Sequence, residues 1–193
     1  MKALSKNIQF FFCEDPDKLE IHPGSIYHAY LSILNDDLDS AYEIFSRLDS
    51  PRAKWGCSFV SVLKGFMTVF PTYFGIRNFL EIDLDFLIKN NKINYVEQCL
   101  GALEIFSSIN QETYKFTARV MLENKLYTSA LKYLDKSKQI FYNDAELHFI
   151  YAKYYKDTGN YRNAHYYICE CLKLLPEYYP ALIMKQQIEE TGF

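Results

Sequence analysis

Residues 148–176 read HFIYAKYYKDTGNYRNAHYYICECLKLLP, with six tyrosines, two histidines and a Cys-Glu-Cys triplet. Two readings compete, a chemical cluster or the packed columns of a helical hairpin. Apolar residues recur three and four apart on both sides of Asp157-Thr158-Gly159-Asn160, which is the spacing of an amphipathic helix. Gly159 stands where a helix ends in the left-handed conformation, which glycine adopts without a Cβ penalty. Pro176 follows the second run, and Pro180 falls in the first turn of the next, where its missing N–H is harmless. The stretch predicts helix, tight turn, helix.

The same pattern returns along the chain. In rows of 34 residues, Val96, Ala130 and Ala164 share a column, as do Ile93, Tyr127 and Tyr161. Leu84, Ala118 and Ala152 form a third column; Leu87, Met121 and Tyr155 a fourth; Leu100, Leu134 and Ile168 a fifth. A helix–turn–helix period of 34 marks a class of stacked repeats. Small residues at 118, 130, 152 and 164 let two helices approach closely, while larger columns fill the grooves around them.

The last row resembles a tetratricopeptide repeat at His148, Tyr151, Ala152, Tyr155, Gly159, Tyr161, Ala164, Ile168, Cys171 and Pro176. His148 and Tyr151 stand where that family has Trp and Leu, and both remain bulky. The row from Gln111 keeps Ala118, Tyr127 and Ala130 but has Lys125 at the turn. Residues 25–48 place Ala29, Leu38, Ala41 and Phe45 in matching columns, displaced by about one extra helix at 52–69. The resemblance covers roughly 77–193 in register. It implies an all-α fold of antiparallel helix-hairpin repeats, a tetratricopeptide-like α-solenoid with a helical N-terminal extension and a C-terminal capping helix.

Helices are expected over 25–35, 38–49, 52–69, 73–90, 93–108, 111–124, 127–141, 144–157, 161–175 and 179–190. Residues 1–23 are expected to form a lead-in whose IQFFF run (8–12) is expected to dock as a short helix or strand, because exposing three Phe is costly. Residues 24–76 form an irregular helical region with one degenerate repeat, and 77–193 hold three repeat-like units. In the last helix, Ala181, Leu182 and Ile188 are expected to face inward while Lys185, Gln186, Glu189 and Glu190 stay wet.

Composition narrows the function classes. A net charge of −3, with acids and bases finely interleaved, offers no basic field for a phosphate backbone, so no nucleic-acid partner is expected. No run approaches the roughly 20 apolar residues of a membrane span, and no membrane partner is expected. Five scattered cysteines, Cys13, Cys57, Cys99, Cys169 and Cys171, suit reduced thiols in a cytoplasmic protein rather than a disulfide framework.

Chemical sites find little support. His165 and Cys169 share a helix face, but Cys171 points elsewhere, and neither His148 nor Cys99 can be brought near; a structural zinc needs four such ligands. No cysteine carries a nucleophile signature. Glu81 and Asp85 share a face of the LEIDLD helix, with Asp83 off it, and read as a solvated face. No glycine-rich phosphate loop is present. Neither metal nor cofactor is expected. Tyr154, Tyr166 and Tyr167 fall outside the columns, and either bury between hairpins or form an interface.

In proteins resembling this one, the first helix of each repeat lines a groove that binds peptides. Carried over, that groove contains Glu81 and Asp85, then Lys115 and Arg119, then Phe149 and Lys153. The chain is thereby expected to be a non-catalytic adaptor for a protein or peptide partner. The Lys/Asn/Arg clamp that some members use on a chaperone's acidic tail is not matched. Three alternatives stay open. The chain could be a small chaperone for a secreted client, similar to the bacterial secretion chaperones. It could be an enzyme with a site near Trp55, Cys57 and FMTVFPTYF (66–74). It could also be a homodimer.

Overall fold

The computed structural model describes residues 22–192, which form eleven helices and no strand. They are α1 Ile26–Leu34, α2 Leu38–Arg47, α3 Pro51–Leu63, α4 Tyr73–Lys89, α5 Ile93–Gly101, α6 Leu103–Ile109, α7 Thr113–Glu123, α8 Tyr127–Ile140, α9 Ala145–Asp157, α10 Tyr161–Leu174 and α11 Tyr179–Glu189. The expected docking of IQFFF, and Cys13, lie outside the described residues. No helix among those described is long and apolar enough to cross a membrane.

One joint is used four times. Helices α1, α4, α7 and α9 each run into a left-handed residue: Asp36, Asn91, Lys125 and Gly159. The residue after it donates its N–H five residues back: Asp37 to Ser32, Lys92 to Leu87, Leu126 to Met121 and Asn160 to Tyr155, all at 2.8–2.9 Å. The left-handed residue itself donates three back, as Gly159 does to Lys156 at 3.0 Å. This pair of bonds satisfies the carbonyls that a helix end leaves bare. Asn91, Lys125 and Gly159 are spaced by 34 residues, so the period is written in backbone geometry even where the turn residue is not glycine. Asp36 stands 55 residues before Asn91, one repeat plus the extra helix α3.

Two expected helices differ. The 52–69 helix stops at Leu63, where Lys64 caps it and Gly65 turns left-handed at φ +84°. Pro71 disfavours helix in the residue before it, and residues 66–72 cross to α4 as a loop. The 93–108 helix breaks at Ala102, which both ends α5 and begins α6. Two compact units result, one up to Asn110 and one from Gln111. The boundary expected at 76/77 falls inside α4.

In the first unit, α1–α2, α2–α3 and α3–α4 pack as successive neighbours. The α2–α3 approach is close enough that a Cβ on Gly56 would lie 2.5 Å from the Phe45 ring. Around Phe45, Phe59, Leu80 and Leu84 the core is largely apolar, and it encloses one carboxylate. Asp83, off the face of Glu81 and Asp85, is fully buried. It accepts hydrogen bonds from the Tyr30 hydroxyl (2.9 Å), the Trp55 indole N–H (2.5 Å) and the Arg52 guanidinium (2.5 Å). Burial holds the Asp83 carboxyl above its usual range, with Arg52, Trp55 and Tyr30 pulling against it.

In the second unit, α7–α8 and α9–α10 are hairpins, and α11 rests on α10. Ala118, Ala130, Ala152 and Ala164 are fully enclosed, as small residues at close helix crossings must be. Ile168 and Cys171 join Ala152 and Ala181 in one cluster. The last helix corrects one expectation. Ala181 and Ile188 are buried, but Leu182 is 44% exposed, as are Tyr179 and Ile183 in varying degree. Contact through positions seven apart leaves only a narrow inward stripe, and Leu182 lies about 100° round from Ala181.

Candidate functional site

The six groove residues fall in both units. Glu81 and Asp85 sit on α4, half-buried, and Asp85 pairs with Lys89 one turn on at 2.6 Å. Lys115, Arg119, Phe149 and Lys153 lie on α7 and α9 of the second unit. There the two helices are laced by charge. Lys115 is only 3% exposed and lies 2.8 Å from Glu112, 2.7 Å from Asp144 and 2.9 Å from Glu146. Arg119 meets the other oxygen of Glu146 at 2.6 Å. Further along, Lys153 of α9 pairs with Glu123 of α7, and Lys156 donates to Gln187 of α11 at 2.6 Å.

Asp144 has two tasks. As N-cap of α9 it accepts the N–H groups of Glu146 (2.9 Å) and Leu147 (3.2 Å), satisfying donors that the helix cannot. Its other oxygen takes Lys115. Burial pushes the Asp144 carboxyl up, but Lys115 and the two N–H groups override it and hold it low. Burial likewise disfavours the Lys115 ammonium, and the carboxylates of Asp144, Glu112 and Glu146 reverse that, raising its proton affinity.

The face is therefore not the bare basic patch its cations alone would suggest. Lys115 is a structural tie between α7 and α9. Arg119 and Lys153 remain partly exposed, each beside a carboxylate, with Phe149 between them along α9. The Phe149 ring meets Tyr178 edge-on at 5.2 Å. Such a surface presents paired charges around an aromatic step.

The opening stretch resolves into packing. Tyr151, Tyr155 and Tyr167 stack with centroids 4.5–6.4 Å apart. The Lys138 ammonium lies 5.5–5.7 Å from the rings of Tyr142, Tyr151 and Tyr167, a cation–π arrangement. His148 lies between Tyr142 and Tyr167. Burial holds its imidazole below the ordinary histidine range. His165 and Cys169 do share a face, with Sγ 3.8 Å from Nε2, while Cys171 points into the core. Burial raises the Cys57 and Cys171 thiols above their usual range, the opposite of what activates a nucleophile.

Among the described residues, the first unit has an aromatic recess between α3 and α4. Trp55 and Ser58 of α3, Phe70 of the loop, and Phe74, Asn78 and Phe79 of α4 enclose a cavity of about 260 Å³. Phe70 and Phe74 of its lining are 65–66% exposed. Asp83, the buried acid beyond Trp55, and the partners Glu112, Asp144 and Glu146 are the residues that sequence reasoning passed over. Comparisons with protein-family models, with curated proteins and with solved structures each returned no match.

Proposed function

We propose that this chain is a non-catalytic binding module of tetratricopeptide type, acting in the cytoplasm, that holds a peptide segment of a partner protein along α7 and α9. The observation that carries the reading is the left-handed joint recurring at Asn91, Lys125 and Gly159, with enclosed alanines in both helices of the last two hairpins. A stack built this way turns the first helix of each hairpin toward one face. On that face Phe149 supplies an apolar anchor, and the flanking pairs Arg119–Glu146 and Lys153–Glu123 supply donors and acceptors of both signs. The occupant suited to it is a segment with an apolar side chain among mixed polar neighbours, not a run of acids. Free thiols at Cys57, Cys99, Cys169 and Cys171 agree with a reducing compartment.

Affinity capture with the wild-type chain, with Phe149→Ser/Lys153→Glu, and with Tyr166→Ser on α10 tests this reading. A specific partner should be lost by the α9 double variant and kept by the α10 variant. Partners that bind all three forms equally would exclude the α7–α9 face.

A further inference from the structure

The loop from Gly65 to Thr72 presents aromatic rings to solvent in a fixed pattern. Along it Phe66, Thr68, Phe70 and Thr72 are exposed, while Met67, Val69 and Pro71 are turned inward. That alternation is the side-chain period of extended backbone. The loop is pinned at both ends and in its middle. Gly65 turns left-handed at φ +84°, the Ser61 hydroxyl donates to the Val69 carbonyl at 3.4 Å, and the Thr72 hydroxyl accepts the Gly75 N–H at 3.0 Å. Phe66 and Phe70 therefore stand out from the surface, and Tyr73 and Phe74 of α4 join them, 42% and 66% exposed. We infer that this aromatic loop is a peripheral membrane site, which seats its rings at the surface of a bilayer rich in anionic lipid headgroups.

Charge selects that partner. Residues 50–80 hold Arg52, Lys54, Lys64 and Arg77 and no acid, in a chain of net charge −3. Within them, residues 65–76 carry no charge at all. An uncharged aromatic run bracketed by cations suits the bilayer interface, where rings enter the headgroup boundary and cations meet lipid phosphates. Arg52 is held by Asp83 in the core, but the other three cations border the loop. Lys64 directly precedes it, Lys54 lines the recess beside Phe70 and Phe74, and Arg77 is exposed three residues beyond Phe74 on α4, the spacing of one helix face. Lys54 and Lys64 pair with Asp49 and Asp39, whose side chains are 92% and 94% exposed. Pairs so open to water hold weakly, so each lysine can exchange its carboxylate for a phosphate. A second copy fits this face less well, because self-pairing would set its cations against each other. The expectation of no membrane partner rested on the lack of a spanning run, and a surface anchor needs none.

Cosedimentation of the full-length chain with sucrose-loaded vesicles tests the site. Phosphatidylcholine–phosphatidylserine vesicles (about 7:3) should bind it at least about fivefold more tightly than phosphatidylcholine alone. Phe66→Ser/Phe70→Ser should weaken binding to the mixed vesicles at least about tenfold, with far-UV ellipticity unchanged. Arg77→Gln should weaken it about fivefold and leave binding to phosphatidylcholine alone unchanged. No sedimentation with either vesicle, equal affinity for the two, or full binding by the Phe variant would overturn the proposal. Light scattering without lipid should give a monomer. A dimer that the Phe variant breaks would place the loop against a second copy and overturn the membrane site.

Discussion

Asp83→Ala removes the acceptor of three hydrogen bonds at once. Tyr30 and Trp55 lose this acceptor, and the Arg52 guanidinium, only 11% exposed, loses the carboxylate it lies against. Stripping one partner from a buried ion pair costs about 3–5 kcal/mol. Loss of this acceptor would cost the two neutral donors up to about 1–3 kcal/mol each if they stayed dry. The space left by the carboxylate admits water to them, so a total of about 4 kcal/mol is expected. For a chain of this length that corresponds to a melting temperature lower by about 8–16 °C. Urea unfolding followed by far-UV ellipticity measures the loss without relying on Trp55, whose surroundings change. A paired variant, Arg52→Met/Asp83→Leu, removes both charges together and should recover at least half of the loss. A cost below about 1 kcal/mol for Asp83→Ala, or no recovery in the pair, would refute the claim that the network holds the first unit together.

Other perturbations test the second unit. Ala164→Leu forces extra methylenes into a fully enclosed helix crossing and should destabilise by about 1–3 kcal/mol, read as a lower urea midpoint. The depressed Asp144 carboxyl stabilises the fold above about pH 4, the unfolded carboxylate value, and this is lost as pH falls through the lower folded value. Lys115→Met should therefore flatten the acid limb of a melting-temperature profile between about pH 2 and 4. His148 stays neutral in the fold at pH values where the unfolded chain binds a proton. Stability should thus fall as pH drops below about 6.5, and His148→Phe should remove that slope while keeping a ring between Tyr142 and Tyr167.

Periodicity proved a good guide to faces and a poor one to partners. The 34-residue columns located the enclosed alanines, the buried Cys171 and the turn at Gly159, because each depends on local spacing and residue volume. Asp83 was passed over, although it lies on the apolar row of Leu80, Leu84 and Leu87; an acid within such a row needs buried donors, which come from α1 and α3. Lys115 and Arg119 were placed on one face, but their acids come from elsewhere in the repeat. Glu112 and Glu146 occupy equivalent positions one period apart, and Lys115 bridges them. Lys115 is among the buried residues of α7 and so had to be paired, whereas Arg119 and Glu123 of the same helix reach the surface. Leu182 was turned inward by hydrophobicity alone, whereas the width of contact between α10 and α11 decides how many apolar residues a last helix can bury. The α5–α6 break at Ala102 left no proline or charged signal.

The four identical joints also bear on the order of folding. Each closes through backbone groups five residues apart, and in the second unit α7–α8, α9–α10 and α10–α11 are sequence neighbours in contact. Local contacts of this kind require little loop closure and form early. The first unit must also bring Tyr30 to Asp83 across 53 residues, and Arg52 across 31, before its core acid is satisfied. The hairpins after Gln111 are therefore expected to regain helix ellipticity in refolding before Trp55 fluorescence reports the Asp83 network of the first unit.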